Sequence, residues 1–184
     1  ATSWFGKDHN TPAFQASAGG KTLFIWSRTN ATEVWVSDGT VGGTRPVRKS
    51  GTTEGLRNAN YFAVNGTRVG FFGSDASGTN RFWTLSNIDA DAEPGPVLTS
   101  SSGAPVIFDG RWVFGGSEPG TNFPSLWITD GTATGTVGFG AATSSIPPYD
   151  VDVQGAVNLT VVGSRIFFGA TYGSFGQEPF VTDC

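Results

Sequence analysis

Few residues in this chain have the types and spacing that chemistry needs. There is one histidine, His9, and one cysteine, Cys184, the last residue. A zinc site draws three or four ligands mainly from Cys, His, Asp and Glu, so the common structural zinc motifs are excluded. A single cysteine also excludes an internal disulfide. No CxxC, GxxxxGK[ST], HExxH or GxSxG pattern occurs. A Ser-His-Asp site would have to use His9, close to one end. What remains is oxygen chemistry. The run Asn87-Ile88-Asp89-Ala90-Asp91-Ala92-Glu93 alternates oxygen side chains as a calcium loop does, which makes Asp89, Asp91 and Glu93 the candidate metal ligands. It lacks the sixth-position Gly and the downstream bidentate Glu of an EF-hand, so a solvated loop between strands is the competing reading. Asp150-Val151-Asp152 is a shorter case. Asp38, Asp130 and a truncated Asp183 lead Asp-Gly-Thr turns, where a carboxylate caps turn amides more readily than it holds calcium. No other cofactor is expected.

A second group suits binding. Arg68, Arg111 and Arg165 recur at one place in three segments, with Thr22 at that place in the fourth, at separations of 46, 43 and 54 residues. Equivalent positions project into equivalent space, so three guanidiniums could ring one face and hold an anion or a sugar. Alternatively each Arg flanks its turn and snorkels at a strand end. Trp35, Trp83 and Trp127 fall at regular positions and read as core, whereas Trp4 and Trp26 are less regular. Trp26 therefore joins the arginines as a candidate ligand-binding residue. Asn30, Asn65 and Asn158 begin glycosylation sequons. Cys184 is a candidate link to another chain, or a free or cut end.

The elements that must position these residues come from a repeat. Four segments share one order: an apolar run, a polar turn, and a second run centred on an aromatic. The first runs are Thr22-Leu23-Phe24-Ile25-Trp26, Arg68-Val69-Gly70-Phe71-Phe72, Arg111-Trp112-Val113-Phe114 and Arg165-Ile166-Phe167-Phe168. The aromatic anchors Trp35, Trp83, Trp127 and Phe180 follow at separations of 48, 44 and 53 residues, so the two series agree on a period of about 45. A further short run precedes each, as in Tyr61-Phe62-Ala63-Val64 before Asn65-Gly66 and Val106-Ile107-Phe108 before Asp109-Gly110. Asn-Gly and Asp-Gly between apolar runs are hairpin signals. The runs are short and rich in β-branched and aromatic residues, and no helical period is sustained. This is an all-β chain.

Three or four strands per unit of about 45 residues read as β-propeller blades, in a single domain over residues 1–184. The units span approximately 12–50, 58–99, 103–139 and 156–184, and form a small four-bladed ring or an arc completed by oligomerisation. Residues 86–105 and 140–157 read as long connectors, through Glu93-Pro94-Gly95-Pro96 and Ser145-Ile146-Pro147-Pro148-Tyr149. Unit four ends before a fourth strand, which residues 1–8 are proposed to supply.

Two second runs, Glu33-Val34-Trp35-Val36-Ser37-Asp38-Gly39-Thr40 and Ser125-Leu126-Trp127-Ile128-Thr129-Asp130-Gly131-Thr132, resemble the bacterial ELWxxDGT repeat. Gly42-Gly43-Thr44 and Gly135-Thr136 follow them as that repeat's second Gly-Thr. Unit two departs, with Thr84-Leu85-Ser86-Asn87, and unit four stops at Asp183-Cys184. The resemblance implies a propeller-like fold in large exported proteins, and it implies no particular activity.

Charged residues make up 14% of the chain against a usual ~25%, aromatics reach 13%, and glycine supplies 27 of 184 positions. This is the reverse of a disordered composition. A net charge of −4 opposes a nucleic-acid surface. No apolar run approaches the ~18 to 20 residues of a membrane span. Low charge, many Ser, Thr and Gly, and the absence of Met suit an exported protein, extracellular or at the cell surface. The expected function is a non-catalytic interaction or structural module whose partner is another protein chain, itself, or surface glycans. A lectin with repeated sites is the alternative, and a glycosidase using paired carboxylates a further one. If residues 1–8 close the last blade, their deletion lowers the melting temperature steeply; an unchanged melting curve would remove the closing-strand assignment.

Overall fold

A computed structural model describes residues 13–28, 31–120, 125–139, 153–172 and 176–183, and every regular element among them is a β-strand. The proposed closing strand 1–8, His9, Trp4, Asn30, Asp150-Val151-Asp152 and Cys184 lie outside the described residues. Unit one is the antiparallel meander β1 (Ala13–Ala18), β2 (Lys21–Arg28), β3 (Ala31–Ser37) and β4 (Arg45–Pro46). Unit two repeats it with β5 (Arg57–Asn65), β6 (Arg68–Ser74), β7 (Asn80–Leu85) and β8 (Glu93–Val97), and one pairing, Glu33 with Arg57, joins the two sheets. Unit three has β9 (Ser100–Ser101) and β10 (Val106–Phe108), both beside β11 (Arg111–Ser117), followed by β12 (Ser125–Thr129) and β13 (Thr136–Phe139). Unit four has β14 (Val153–Val162), β15 (Arg165–Tyr172) and β16 (Gln177–Thr182).

Each sheet is too small to bury its own faces, so the units pack face to face in chain order. We call the face toward the preceding unit leading and the face toward the following unit trailing. Strand alternation assigns residues to them. Leu23 and Val34 of unit one meet Val69, Phe71 and Trp83 of unit two. Phe72 and Phe82 on unit two's trailing face meet Trp112, Phe114 and Trp127 of unit three. Val113 and Leu126 of unit three meet Ile166, Phe168 and Ala170 of unit four. Three such layers make a propeller-like arc of four blades. Among the described residues there is no fourth layer between units four and one.

The register revises two expectations. In every unit the anchor aromatic lies opposite the residue three beyond the start of the second strand: Trp83 opposite Phe71, Trp127 opposite Phe114, Phe180 opposite Phe168. In unit one Trp35 lies opposite Phe24, so the equivalent of Arg68 is Lys21 and not Thr22. The reason is turn geometry. Gly19 and Gly20 both take positive φ between Ala18 and Lys21, which starts β2 one residue early. Asp109 and Gly110 form the same two-residue turn. The Asn65-Gly66 signal is displaced by one: Asn65 pairs with Arg68, leaving Gly66-Thr67 as the turn with only Gly66 at positive φ. The segment Glu93-Pro94-Gly95-Pro96, expected as connector, is outer strand β8. Prolines fit there because an outer strand can leave N–H positions unused, and a Cβ on Gly95 would lie 2.6 Å from the Phe82 carbonyl.

Strands β5 and β14 share an unusual shape. Both carry two register shifts, and positive φ falls at Asn58 and Tyr61 in β5 and at Gly155 and Asn158 in β14. These positions lie seven and four residues before the strand end in each case. The layers interlock by size. Gly70 accepts Trp112, whose Nε1 donates across the junction to the Ala63 carbonyl at 3.1 Å. A Cβ there would lie 2.5 Å from Phe82 and 2.9 Å from the indole Nε1. Gly70→Val is therefore expected to destabilise the protein by about 1–3 kcal/mol in chemical denaturation; a neutral result would contradict the close packing of this layer.

Candidate functional site

The two complete Asp-Gly-Thr turns are the most regular polar structures in the molecule. Asp38 Oδ1 accepts from the Thr40 backbone N–H at 2.8 Å and from Thr40 Oγ1 at 2.7 Å. Thr40 Oγ1 accepts from Gly43 N–H at 3.0 Å, and Thr44 Oγ1 donates to the Thr40 carbonyl at 2.6 Å. In unit three Asp130 makes the same pair of bonds to Thr132 at 2.8 and 2.7 Å, Gly135 N–H donates to Thr132 Oγ1 at 2.9 Å, and Thr136 Oγ1 donates to the Thr132 carbonyl at 2.6 Å. Each residue type has a separate task. Gly39 and Gly131 adopt φ of 89° and 92°, disfavoured for a side chain. A Cβ on Gly43 or Gly135 would fall inside the Asp carboxylate. Both Asp carboxylates are therefore occupied in holding a turn between the third and fourth strands. Unit two, which lacks the motif, uses Asn87 Oδ1 to accept from Asp89 N–H at 2.9 Å.

Hydrogen bonding to the ionised form explains the electrostatics here. The Thr40 hydroxyl and amide hold the Asp38 carboxyl below its ordinary value, and those of Thr132 do the same for Asp130. Asp75, buried in the β6–β7 turn, is lowered chiefly by the Ser77 hydroxyl against the opposing effect of burial. Lys49 Nζ stands 3.8 Å from its carboxylate.

Of the basic residues that open the four second strands, Lys21 and Arg68 serve the junctions. Lys21 Nζ reaches Asp89 Oδ1 of unit two at 2.6 Å. Arg68 donates to the Asp130 carbonyl at 2.6 Å and the Gly110 carbonyl at 2.7 Å in unit three, with its guanidinium carbon 4.8 Å from the Trp112 ring centroid. Asn65, a sequon residue, donates to the same Gly110 carbonyl at 2.7 Å. Arg111 and Arg165 lie exposed on their own units. The structure thus places Arg68 in a unit-to-unit contact that sequence reasoning did not anticipate, because the acceptors are backbone carbonyls 42 and 62 residues away. Lys21 and Asn65 were missed as junction residues because their acceptors, the Asp89 carboxylate and the Gly110 carbonyl, lie 68 and 45 residues away.

The acidic run is placed against cations of unit one. Asp89 pairs with Lys21, Arg45 Nη1 stands 3.6 Å from Asp91, and Arg45 also donates to the Asp89 carbonyl. Glu93 lies exposed at the start of β8. Among the described residues no three His, Cys, Asp or Glu side chains converge as a metal set would. Trp26 packs edge-on against Trp35 at 5.1 Å between centroids, and Glu33 accepts from the Trp35 indole at 3.1 Å. Trp83 and Trp127 send that N–H instead to the Gly73 and Gly116 carbonyls. Asn158 is exposed at its bulge.

The trailing face of unit four stands apart. Val162, Phe167 and Val181 are 59, 42 and 51% exposed, and Thr160 and Val181 flank Phe167 across the sheet. A shallow groove of about 300 Å³ over this sheet is lined by Phe167 and Pro179 with Asn158, Thr160, Gln177 and Glu178. Another, of about 470 Å³, lies at the Gly19-Gly20 turn beside Lys21 and Asp38. In the second groove the Ser37 hydroxyl is engaged by Thr44 and Gly39, and the Asp38 carboxylate by Thr40. No described helix is long and apolar enough to cross a membrane.

No family model matches the chain, and no curated protein matches it. Among solved structures it is similar to the β-propeller domain of the Trilobed protease from Pyrococcus furiosus, described as having an open velcro topology, at 11% identity and a TM-score of 0.36, covering 92% of this chain and 70% of that one.

The lowered aspartates set the sign of the acid response. Carboxyls depressed in the folded state contribute stability above the ordinary value of 3.8 and lose it as pH falls through their lower folded values. Melting temperature is therefore expected to decline below about pH 4, and the decline to be shallower in Asp75→Asn and Asp130→Asn. An identical acid profile in both variants would refute this.

Proposed function

We propose that the chain is a non-catalytic, exported binding module, a rigid arc of blades serving as a subunit of an extracellular or surface assembly. One observation carries the reading. The recurring polar groups are largely committed to holding turns and junctions, while three of the seven large exposed hydrophobics among the described residues gather on one face of unit four. Recognition by surface complementarity suits that distribution better than bond-making chemistry does. The Glu33–Thr40 and Ser125–Thr132 segments, which resemble repeats of exported proteins, support the same setting. A lectin is the second reading, favoured by the groove in which Phe167 lies beside the amides of Asn158 and Gln177, since a sugar takes one apolar face and several hydrogen bonds.

The test is a paired screen of immobilised protein against extracellular proteins, with the chain itself among them, and against a glycan array, alongside an assay for glycoside hydrolysis. Saturable binding to a protein surface without turnover is expected. Binding of two to four sugars per chain would favour the lectin, and turnover abolished by one Asp or Glu substitution would overturn the non-catalytic reading.

A further inference from the structure

The junction between units two and three carries a reactive amide. Asn65-Gly66 is the one Asn-Gly step in the chain. In such a step the backbone nitrogen of the glycine can attack the side-chain carbonyl carbon of the asparagine. Ammonia leaves, a five-membered imide forms, and water opens it to aspartate or isoaspartate. Glycine favours the attack because it has no Cβ to obstruct the nitrogen and the widest backbone freedom. The fold leaves this nitrogen accessible. Gly66 lies exposed in the Gly66-Thr67 turn, beyond the last pair of the β5–β6 ladder, with φ of 64°. A Cβ placed on it would meet nothing within 4 Å, so water has open access.

Two features of the fold hold the reaction back. Asn65 is the last paired residue of β5, opposite Arg68, and ring closure turns its ψ out of the extended value that pairing imposes. Its amide is also tied across the junction, Nδ2 donating to the Gly110 carbonyl of unit three at 2.7 Å. Arg68 Nη2 donates to the same carbonyl at 2.7 Å, and Nη1 to the Asp130 carbonyl at 2.6 Å. Asn65 and Arg68 thus close one end of the junction together. Opening of that end frees the amide to meet Gly66.

The product cannot restore the contact. A carboxylate at position 65 has no proton to give the Gly110 carbonyl, and two acceptors then face each other. The Asn65 and Arg68 nitrogens both lie 2.7 Å from one oxygen, so the new carboxylate stands beside the guanidinium and competes for it. A unit-to-unit contact becomes one within unit two.

We propose that Asn65 is a modification site: it converts spontaneously to aspartate or isoaspartate when the junction between units two and three opens, and the carboxylate formed keeps that end loosened. The reaction consumes only water and runs one way, so the loosened fraction grows with the age of the protein. It is independent of what the binding module recognises.

The intact chain, held at mildly alkaline pH and sampled over weeks by peptide mass mapping, tests this. Asn65 is expected to become acidic before any other asparagine, and more slowly than in the same chain unfolded by guanidinium. Arg68→Ala, which removes two bonds at this end, should speed the native reaction about tenfold. Arg68→Lys should act in the same direction and serves if the alanine variant does not fold. Lys21→Ala loosens the first junction and should leave the rate at Asn65 unchanged. Asn65→Asp, the aspartate product itself, should lower the melting temperature by about 2–4 °C, the scale of one lost hydrogen bond. Equal rates in native and unfolded chains would overturn the proposal, as would a native protein still unreacted when the unfolded chain has converted. So would a rate that the Arg68 variants leave unchanged, or that Lys21→Ala raises equally. An Asn65→Asp protein that melts like the parent would remove the loosening.

Discussion

A four-stranded antiparallel sheet with apolar residues on both faces cannot be stable alone, and that constraint organises the whole molecule. Each unit contributes half of a core and depends on its neighbour for the other half. Fully buried side chains such as Trp83, Phe71, Trp112 and Phe114 all lie in layers between sheets. A core shared in this way makes volume a property of pairs. Gly70 is small because Trp112 is large, and neither choice is intelligible within its own unit.

Polar structure divides along the same line. The Asp-Gly-Thr turn is self-sufficient: its acceptor, donors and close-approach glycine lie within seven consecutive residues, and its bond lengths agree between units one and three to within about 0.1 Å. The junction contacts differ from one interface to the next: an ion pair at the first, guanidinium-to-carbonyl bonds at the second, and Ser102 donating to the Ala156 carbonyl at the third. Exposed ion pairs such as Lys21–Asp89 contribute only up to about 1 kcal/mol, so they align neighbouring blades while the apolar layers hold them.

This division explains what could be read from sequence. The strands, their repeat and the core role of Trp83 and Trp127 follow from local patterns that survive in the chain. The Asp turns were legible for the same reason, since all their partners are close in sequence. Unit one was misread by one residue because Thr22-Leu23-Phe24 imitates the apolar run of the other units, while the Gly19-Gly20 turn, which sets the true start at Lys21, lies just ahead of it. The junction roles of Arg68 and Asn65 left no local signal, their acceptors being carbonyls of another blade. The exposed face around Phe167 was hidden by its regularity: the residue occupies a position that is buried in every earlier unit.

The paired bends in β5 and β14 carry a consequence for the protein's behaviour at high concentration. Among the described residues β14 lies at the margin of its sheet, where a straight strand would offer an even row of amide and carbonyl groups to any passing extended chain. The left-handed residues at Gly155 and Asn158 break that row into segments too short and too twisted to extend in register. A chain rich in β-branched and aromatic runs thereby guards this margin against fibrillar aggregation by backbone shape, without the lysines that edge strands often use for the purpose.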